Sequence, residues 1–87
     1  MNPCQVWPLG NSQVRLGRKR DENDIPLKGL NASRRHANIS VEQGQYVIYP
    51  LSPNNPVLIN NVPVVQRQVL QPGDVIRMGE TTLRYEK

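Results

Sequence analysis

Ser33-Arg34-Arg35-His36 sets a hydroxyl, two guanidiniums and an imidazole in four consecutive positions, and Gly17-Arg18 supplies another guanidinium earlier in the chain. Several chemistries use such groups. A hydroxyl with guanidiniums traps a phosphate, because arginine presents a planar fork of donors matched to phosphate oxygens. The same cations contact a nucleic-acid backbone. Serine with histidine and an aspartate, here Asp24 or Asp74, is the start of a hydrolytic site. A polar entrance to a strand needs no function at all. The residues themselves argue against catalysis. His36 is the only histidine, and three residues along an extended chain, at ~3.3 Å each, leave its ring too far from Ser33 for direct proton transfer. The sequence also offers no metal-ligand cluster and no glycine-rich phosphate loop opening a helix.

Short strands must position these groups. Eight prolines and six glycines interrupt the 87 residues, and apolar positions alternate with polar ones instead of following a helical period. Val14 and Leu16 oppose Arg15; Ala37, Ile39 and Val41 oppose Asn38 and Ser40; Ile76 and Met78 flank Arg77; Leu83 and Tyr85 flank Arg84. Turn residues separate the runs. Gly10-Asn11-Ser12 divides strands at 5–9 and 13–17. Glu42-Gln43-Gly44 joins 37–41 to 45–51 as a hairpin, Gln71-Pro72-Gly73-Asp74 precedes 75–78, and Gly79-Glu80 leads into 81–85. Asp74 is expected to cap its own turn, Cys4 and Trp7 to pack on the first strand. Strands at this spacing predict an all-β sandwich or barrel in one domain over 1–87. Two longer loops break the rhythm: 19–24 with its continuation 28–35, and Ser52-Pro53-Asn54-Asn55-Pro56. Loops on a rigid sandwich are where recognition sits.

Composition narrows the partner. Lys and Arg number 11 against 7 Asp and Glu, a net charge of +4, and seven of the cations lie between positions 15 and 35. An anionic partner suits that region. Four aromatic residues, Trp7, Tyr46, Tyr49 and Tyr85, are not interleaved with the basic cluster, so stacking platforms for nucleic acid are not evident. A single cysteine permits no intramolecular disulfide. No apolar run approaches the ~20 residues of a membrane helix, and no signal peptide is recognisable. The expectation is a cytoplasmic chain, or the cytoplasmic part of a larger or membrane-associated protein, without cofactor or metal and without direct membrane contact.

Three blocks of sequence resemble the forkhead-associated (FHA) domain family. They are Val14-x-Leu16-Gly17-Arg18 followed by Asn23-Asp24-Ile25-x-Leu27; Ser33-Arg34-Arg35-His36-Ala37-x-Ile39; and Leu70-x-Pro72-Gly73-Asp74-x-Ile76-x-Met78-Gly79 ending in Leu83-x-Tyr85. Their order and spacing suit the family from about Val6 to Tyr85. The resemblance implies an all-β sandwich of two antiparallel sheets with about ten or eleven short strands, which reads phosphothreonine in partner proteins. It assigns phosphate contact to Arg18, Ser33, Arg34 and Asn54, the peptide backbone to Asn55, and the third residue after the phosphothreonine to Asn31. Asn31 is neutral and short, so strong selection for an acidic residue there is not expected. Gly17 and His36 become structural supports, His36 as a buried brace behind the phosphate loop, and Arg35 a solvated strand-edge charge.

One block departs from the family's Asp-Leu-x-Ser-x-Asn-Gly-Thr-x-Val-Asn-Gly. Leu51, Asn55 and Asn60 keep their places, while Pro50, Pro53, Pro56, Val57 and Asn61 replace Asp, Ser, Gly, Thr and Gly. Asn61 can take the left-handed conformation. Pro56 cannot, with φ fixed near −65°, so the loop must run differently there. The function implied is a non-catalytic, phosphothreonine-dependent binding module, recruiting a threonine-phosphorylated protein and joined to other domains of a larger chain. The alternative is a phospho-independent interaction or oligomerisation module on the same fold; nucleic-acid binding is not expected.

Overall fold

The computed structural model describes residue 10 and residues 13–86. The strands are β1 (Val14–Gly17), β2 (Ile25–Pro26), β3 (Ala37–Glu42), β4 (Gln45–Pro50), β5 (Val57–Ile59), β6 (Val62–Val64), β7 (Gln68–Val69), β8 (Val75–Met78) and β9 (Thr81–Arg84). They form a five-stranded sheet in the order β2-β1-β3-β4-β7 and a four-stranded sheet in the order β6-β5-β8-β9. The expected strand at 5–9, with the packing roles of Cys4 and Trp7, lies outside the described residues.

Alternation produces the two inner faces. Leu16 is buried beside exposed Arg15, and Ile76 and Met78 are buried on either side of exposed Arg77. Leu16, Ile25, Ala37, Ile39 and Ile48 from one sheet meet Val57, Ile59, Ile76 and Met78 from the other. Each fully buried aliphatic side chain contributes about 1.5–3 kcal/mol through removal from water. Tyr85, buried past the end of β9, stacks at a tilt on Tyr46 of β4 with ring centroids 5.7 Å apart. Val47 and Ile48 are adjacent and both fully buried, so β4 is covered on both faces at that point.

Turn chemistry sets the registers. Gln43 and Gly44 both have positive φ (52° and 77°), which matches the two-residue turn between β3 and β4. Asn60 and Asn61 do the same between β5 and β6 (φ 53° and 68°). Asp74 caps its turn as expected, its Oδ2 accepting from the Gln71 N–H at 2.8 Å. Its other oxygen accepts from Asn60 Nδ2 at 3.0 Å, tying the two turns together.

The five-stranded sheet is not wholly antiparallel: β1 and β2 pair in parallel, Leu16 with Ile25 and Gly17 with Pro26. The intervening loop makes this possible by folding into a single 3-10 turn, Arg20–Glu22. Hydrogen bonds from Asp24 N to Arg15 O (2.8 Å) and Leu27 N to Gly17 O (2.8 Å) continue the ladder on both sides.

Candidate functional site

Three segments meet at one end of the sandwich: the exit of β1 at 17–19, the loop 27–36 before β3, and the loop 51–56 after β4. Backbone bonds join the first two. Arg18 N donates to Ser33 O at 2.9 Å and His36 N to Leu16 O at 2.9 Å. Gly17 makes that approach possible, because a Cβ there would lie 2.1 Å from the Arg34 carbonyl oxygen. Asn23 fastens the same junction, its Nδ2 donating to Lys19 O at 2.7 Å and to Arg34 O at 2.8 Å. From the far side, the 27–36 loop is pinned to the β8–β9 turn by Lys28 N to Thr81 Oγ1 (2.9 Å) and Glu80 N to Lys28 O (3.0 Å). Gly79, at φ 62°, lets Ala32 pack where a Cβ would meet it at 2.8 Å.

His36 links all of this to the third segment. It is fully buried. The chain bends at Arg34 and Arg35, so the ring is not held away from Ser33 as an extended stretch would hold it. Its Nδ1 accepts from the Ser33 backbone N–H at 3.1 Å, which leaves the proton on Nε2 to be donated to Pro56 O at 3.3 Å. Burial holds its pKa below the ordinary histidine value, only partly offset by backbone groups of Pro56 and Asn55. Neutral and doubly bonded, the ring braces both loops and faces Ser33 through the main chain. Pro56 supplies the carbonyl that receives this bond.

Ser33 Oγ lies 2.7 Å from Ser52 Oγ and 2.7 Å from the Asn55 side-chain amide. With its oxygen toward Ser33, the Asn55 amide also donates to the carbonyls of Asn31 and Asn54 at 3.2 Å each. One half-buried amide therefore spans both loops. Asn54 and Asn31 are exposed at the rim. Of the residues assigned to the phosphate and peptide by resemblance, the structure brings Asn55 to Ser33 directly, with Asn31 and Asn54 joined to the same amide through their carbonyls. The sequence reading did not single out Asn23 or Ser52 as parts of the site; Asn23 stands within the first block, and Ser52 falls at a position the family pattern leaves open.

The cations surround this hydroxyl cluster unequally. Arg18, Lys19 and Arg34 line an open pocket of about 240 Å³. Glu22 pairs with Lys19 at 3.1 Å and with Arg35 at 3.4 Å, and the Lys19 hydrogen bond leads in holding its carboxyl below the usual range. Arg35 is exposed, as expected of a solvated charge, and additionally carries this ion pair. Arg18 and Arg34 have no carboxylate within ion-pair distance among the described residues. Asp24 is occupied elsewhere, accepting from Arg15 N at 2.9 Å and Nε at 3.3 Å; the backbone bond is the main cause of its lowered pKa. No cluster of three or more potential metal ligands occurs among the described residues, and none of their helices is long and apolar enough to cross a membrane.

Residues 14–79 match the FHA domain family model. The chain belongs to the FHA family. Its relatives include the mouse proliferation marker protein Ki-67, 32% identical over 80 residues. The transcriptional regulatory protein EmbR of Mycobacterium tuberculosis is 38% identical over 80 residues. The aligned regions cover 92% of this chain but 2% of Ki-67 and 20% of EmbR, so this FHA domain spans a small part of either protein. EmbR solved in complex with a low affinity phosphopeptide superposes with a TM-score of 0.76 at 35% identity, over 85% of this chain and 19% of EmbR. An FHA domain solved for analysis of phosphothreonine-dependent interactions gives 0.83 at 30% identity, over 95% of this chain and 84% of that one. These similarities agree with the two-sheet sandwich.

Proposed function

We propose that this FHA domain is a non-catalytic module that binds a phosphothreonine in a partner protein, with the phosphate in the pocket between Arg18, Arg34 and Ser33. The observation that carries the reading is the basic pocket itself. Two guanidiniums from different loops face one open space, with Ser33 next in sequence to Arg34 and its carbonyl bonded to Arg18 N, while Glu22 is occupied by Lys19 and Arg35. A phosphothreonine brings about −1.5 to −2 charge and three acceptor oxygens, which offsets the repulsion between those cations. Its relatives' complexes point the same way: EmbR has been solved with a phosphopeptide.

In this reading Arg18 and Arg34 supply charged forks, Ser33 a hydroxyl donor and Asn54 an amide from the opposite rim. Asn55 first fixes Ser33 and Asn31 in place; its oxygen keeps a second lone pair for a peptide N–H. Asn31, at the outer rim, meets the residue three positions after the phosphothreonine without a charge to offer. Gly17 and His36 hold the loops. The ligand comes from outside this sequence, whose two threonines, Thr81 and Thr82, are both paired in β9. The partner in this reading is a protein phosphorylated by a Ser/Thr kinase, met in the cytoplasm or by the cytoplasmic part of a larger or membrane-associated protein.

Titrating a library of phosphothreonine peptides with random flanks against unphosphorylated and phosphoserine twins tests the proposal. Phosphothreonine peptides should bind at least tenfold better than either twin, and Arg18→Ala should abolish the difference. Equal affinity for phosphorylated and unphosphorylated peptides would refute it.

A further inference from the structure

A second depression has the opposite character to the basic pocket. Pro50, Leu51, Ser52, Pro53, Val64 and Val65 line a groove of about 220 Å³ with no charged side chain. Val65 is 76% exposed and Leu51 44% exposed, so apolar surface is open to water here without a covering segment among the described residues. Two of the groove's lining residues, Pro50 and Pro53, stand where the family pattern has Asp and Ser.

Ser52 links the groove to the Ser33 loop. It lines the groove, and its hydroxyl lies 2.7 Å from Ser33 Oγ. A peptide whose phosphate rests at Ser33 therefore has the groove within reach of residues close to the phosphothreonine, since an extended chain advances ~3.3 Å per residue. The volume lies below the ~300–1,000 Å³ of small-molecule pockets and suits a side chain. We propose that the groove receives an aliphatic side chain of the bound peptide, a residue flanking the phosphothreonine. The domain then reads a mark and an apolar neighbour together: cations take the phosphate, and prolines and valines take the flank. This inference rests on the phosphothreonine reading above.

The test uses phosphothreonine peptides in which each flanking position in turn is Leu, Ala or Asp, titrated by fluorescence anisotropy against the wild-type domain, Val65→Asp and Leu51→Gln. Both substituted side chains are exposed, so the variants should melt with the wild type, which circular dichroism checks. The expected result is one flanking position preferring Leu over Ala by about tenfold, the return for burying an aliphatic side chain. Either variant should erase that preference while leaving the affinity for the Ala-flanked phosphopeptide unchanged. Phosphodependent binding with no apolar preference, or a preference that survives both variants, would overturn the groove assignment alone. Binding indifferent to phosphate would overturn the groove and the reading beneath it. Concentration-dependent dimerisation abolished by Val65→Asp, seen in sedimentation, would overturn it in favour of a second copy as occupant.

Discussion

Replacing Gly17 by alanine puts the junction of β1 and the Ser33 loop under direct test. The new Cβ would sit 2.1 Å from Arg34 O and 2.7 Å from both Asn23 side-chain heteroatoms. Ordinary van der Waals contact begins at 3.4 Å, 1.3 Å farther out, so the Arg34 carbonyl must retreat. Retreat breaks the Asn23 bond to Arg34 O and loosens the bond from Arg18 N to Ser33 O. Each lost bond costs about 1 kcal/mol, and overpacking a tight site costs about 1–3 kcal/mol more, giving roughly 3–5 kcal/mol. A domain of this size is stable by only about 4–13 kcal/mol, and each kcal/mol moves its melting point by about 4–8 °C. Thermal denaturation followed by circular dichroism should therefore show a loss of at least ~12 °C, with phosphopeptide affinity falling as Arg18 and Ser33 separate. A variant melting within about 3 °C of wild type would refute the argument that close backbone approach at Gly17 positions the site.

Other expectations follow from the same contacts. His36 is neutral and buried, with its folded-state pKa below the unfolded value; below about pH 6.5 the unfolded chain binds a proton that the native ring refuses. Stability should therefore be flat above pH 6.5 and fall beneath it by up to ~1.4 kcal/mol per pH unit, a slope that His36→Gln removes in thermal melts between pH 5 and 7.5. The contributions of Asp24 and Glu22, whose pKa values are lowered, persist to pH ~4 and are lost only under more acidic conditions, leaving the histidine window clear. Asn23→Ala, which strips the donor from Lys19 O and Arg34 O, should destabilise by about 1–2 kcal/mol in urea melts. It should also weaken phosphopeptide binding in calorimetry, although its side chain bonds only to the two loop carbonyls. Arg18→Ala should do the reverse, leaving stability within ~0.5 kcal/mol while costing ten- to a hundredfold in affinity.

The alternation of Leu16 with Arg15 and of Ile76 and Met78 with Arg77 was legible because a half-buried strand writes its period directly into the chain. Asn61 was legible as a left-handed turn residue for similar local reasons; Asn60 shares that conformation. The parallel pairing of β1 with β2 was not, because two-residue strands carry no periodicity and their register depends on a 3-10 turn in an otherwise polar loop. Within the candidate site, Arg18, Ser33 and the asparagines were named through the resemblance to the family's pattern. Asn23 and Ser52 act across 11 and 19 residues, and nothing in either residue's neighbours announces its distant partner. His36 shows the intermediate case: its supporting role followed from the resemblance, whereas the bend at Arg34-Arg35 that turns its ring toward the Ser33 main chain required coordinates. The prolines of the 51–56 loop looked like damage to the pattern. In place, Pro56 offers His36 its carbonyl and Pro53 helps line an apolar groove.

The central claim is that a phosphate enters between Arg18, Arg34 and Ser33. Amide chemical-shift mapping of the isotopically labelled domain, titrated with a phosphothreonine peptide and with its unphosphorylated twin, tests it most directly. The account predicts that residues 18, 19, 33, 34 and 54–55 shift with the phosphopeptide and stay in place with the twin. Shifts confined to another face, or the same shifts with both peptides, would contradict it.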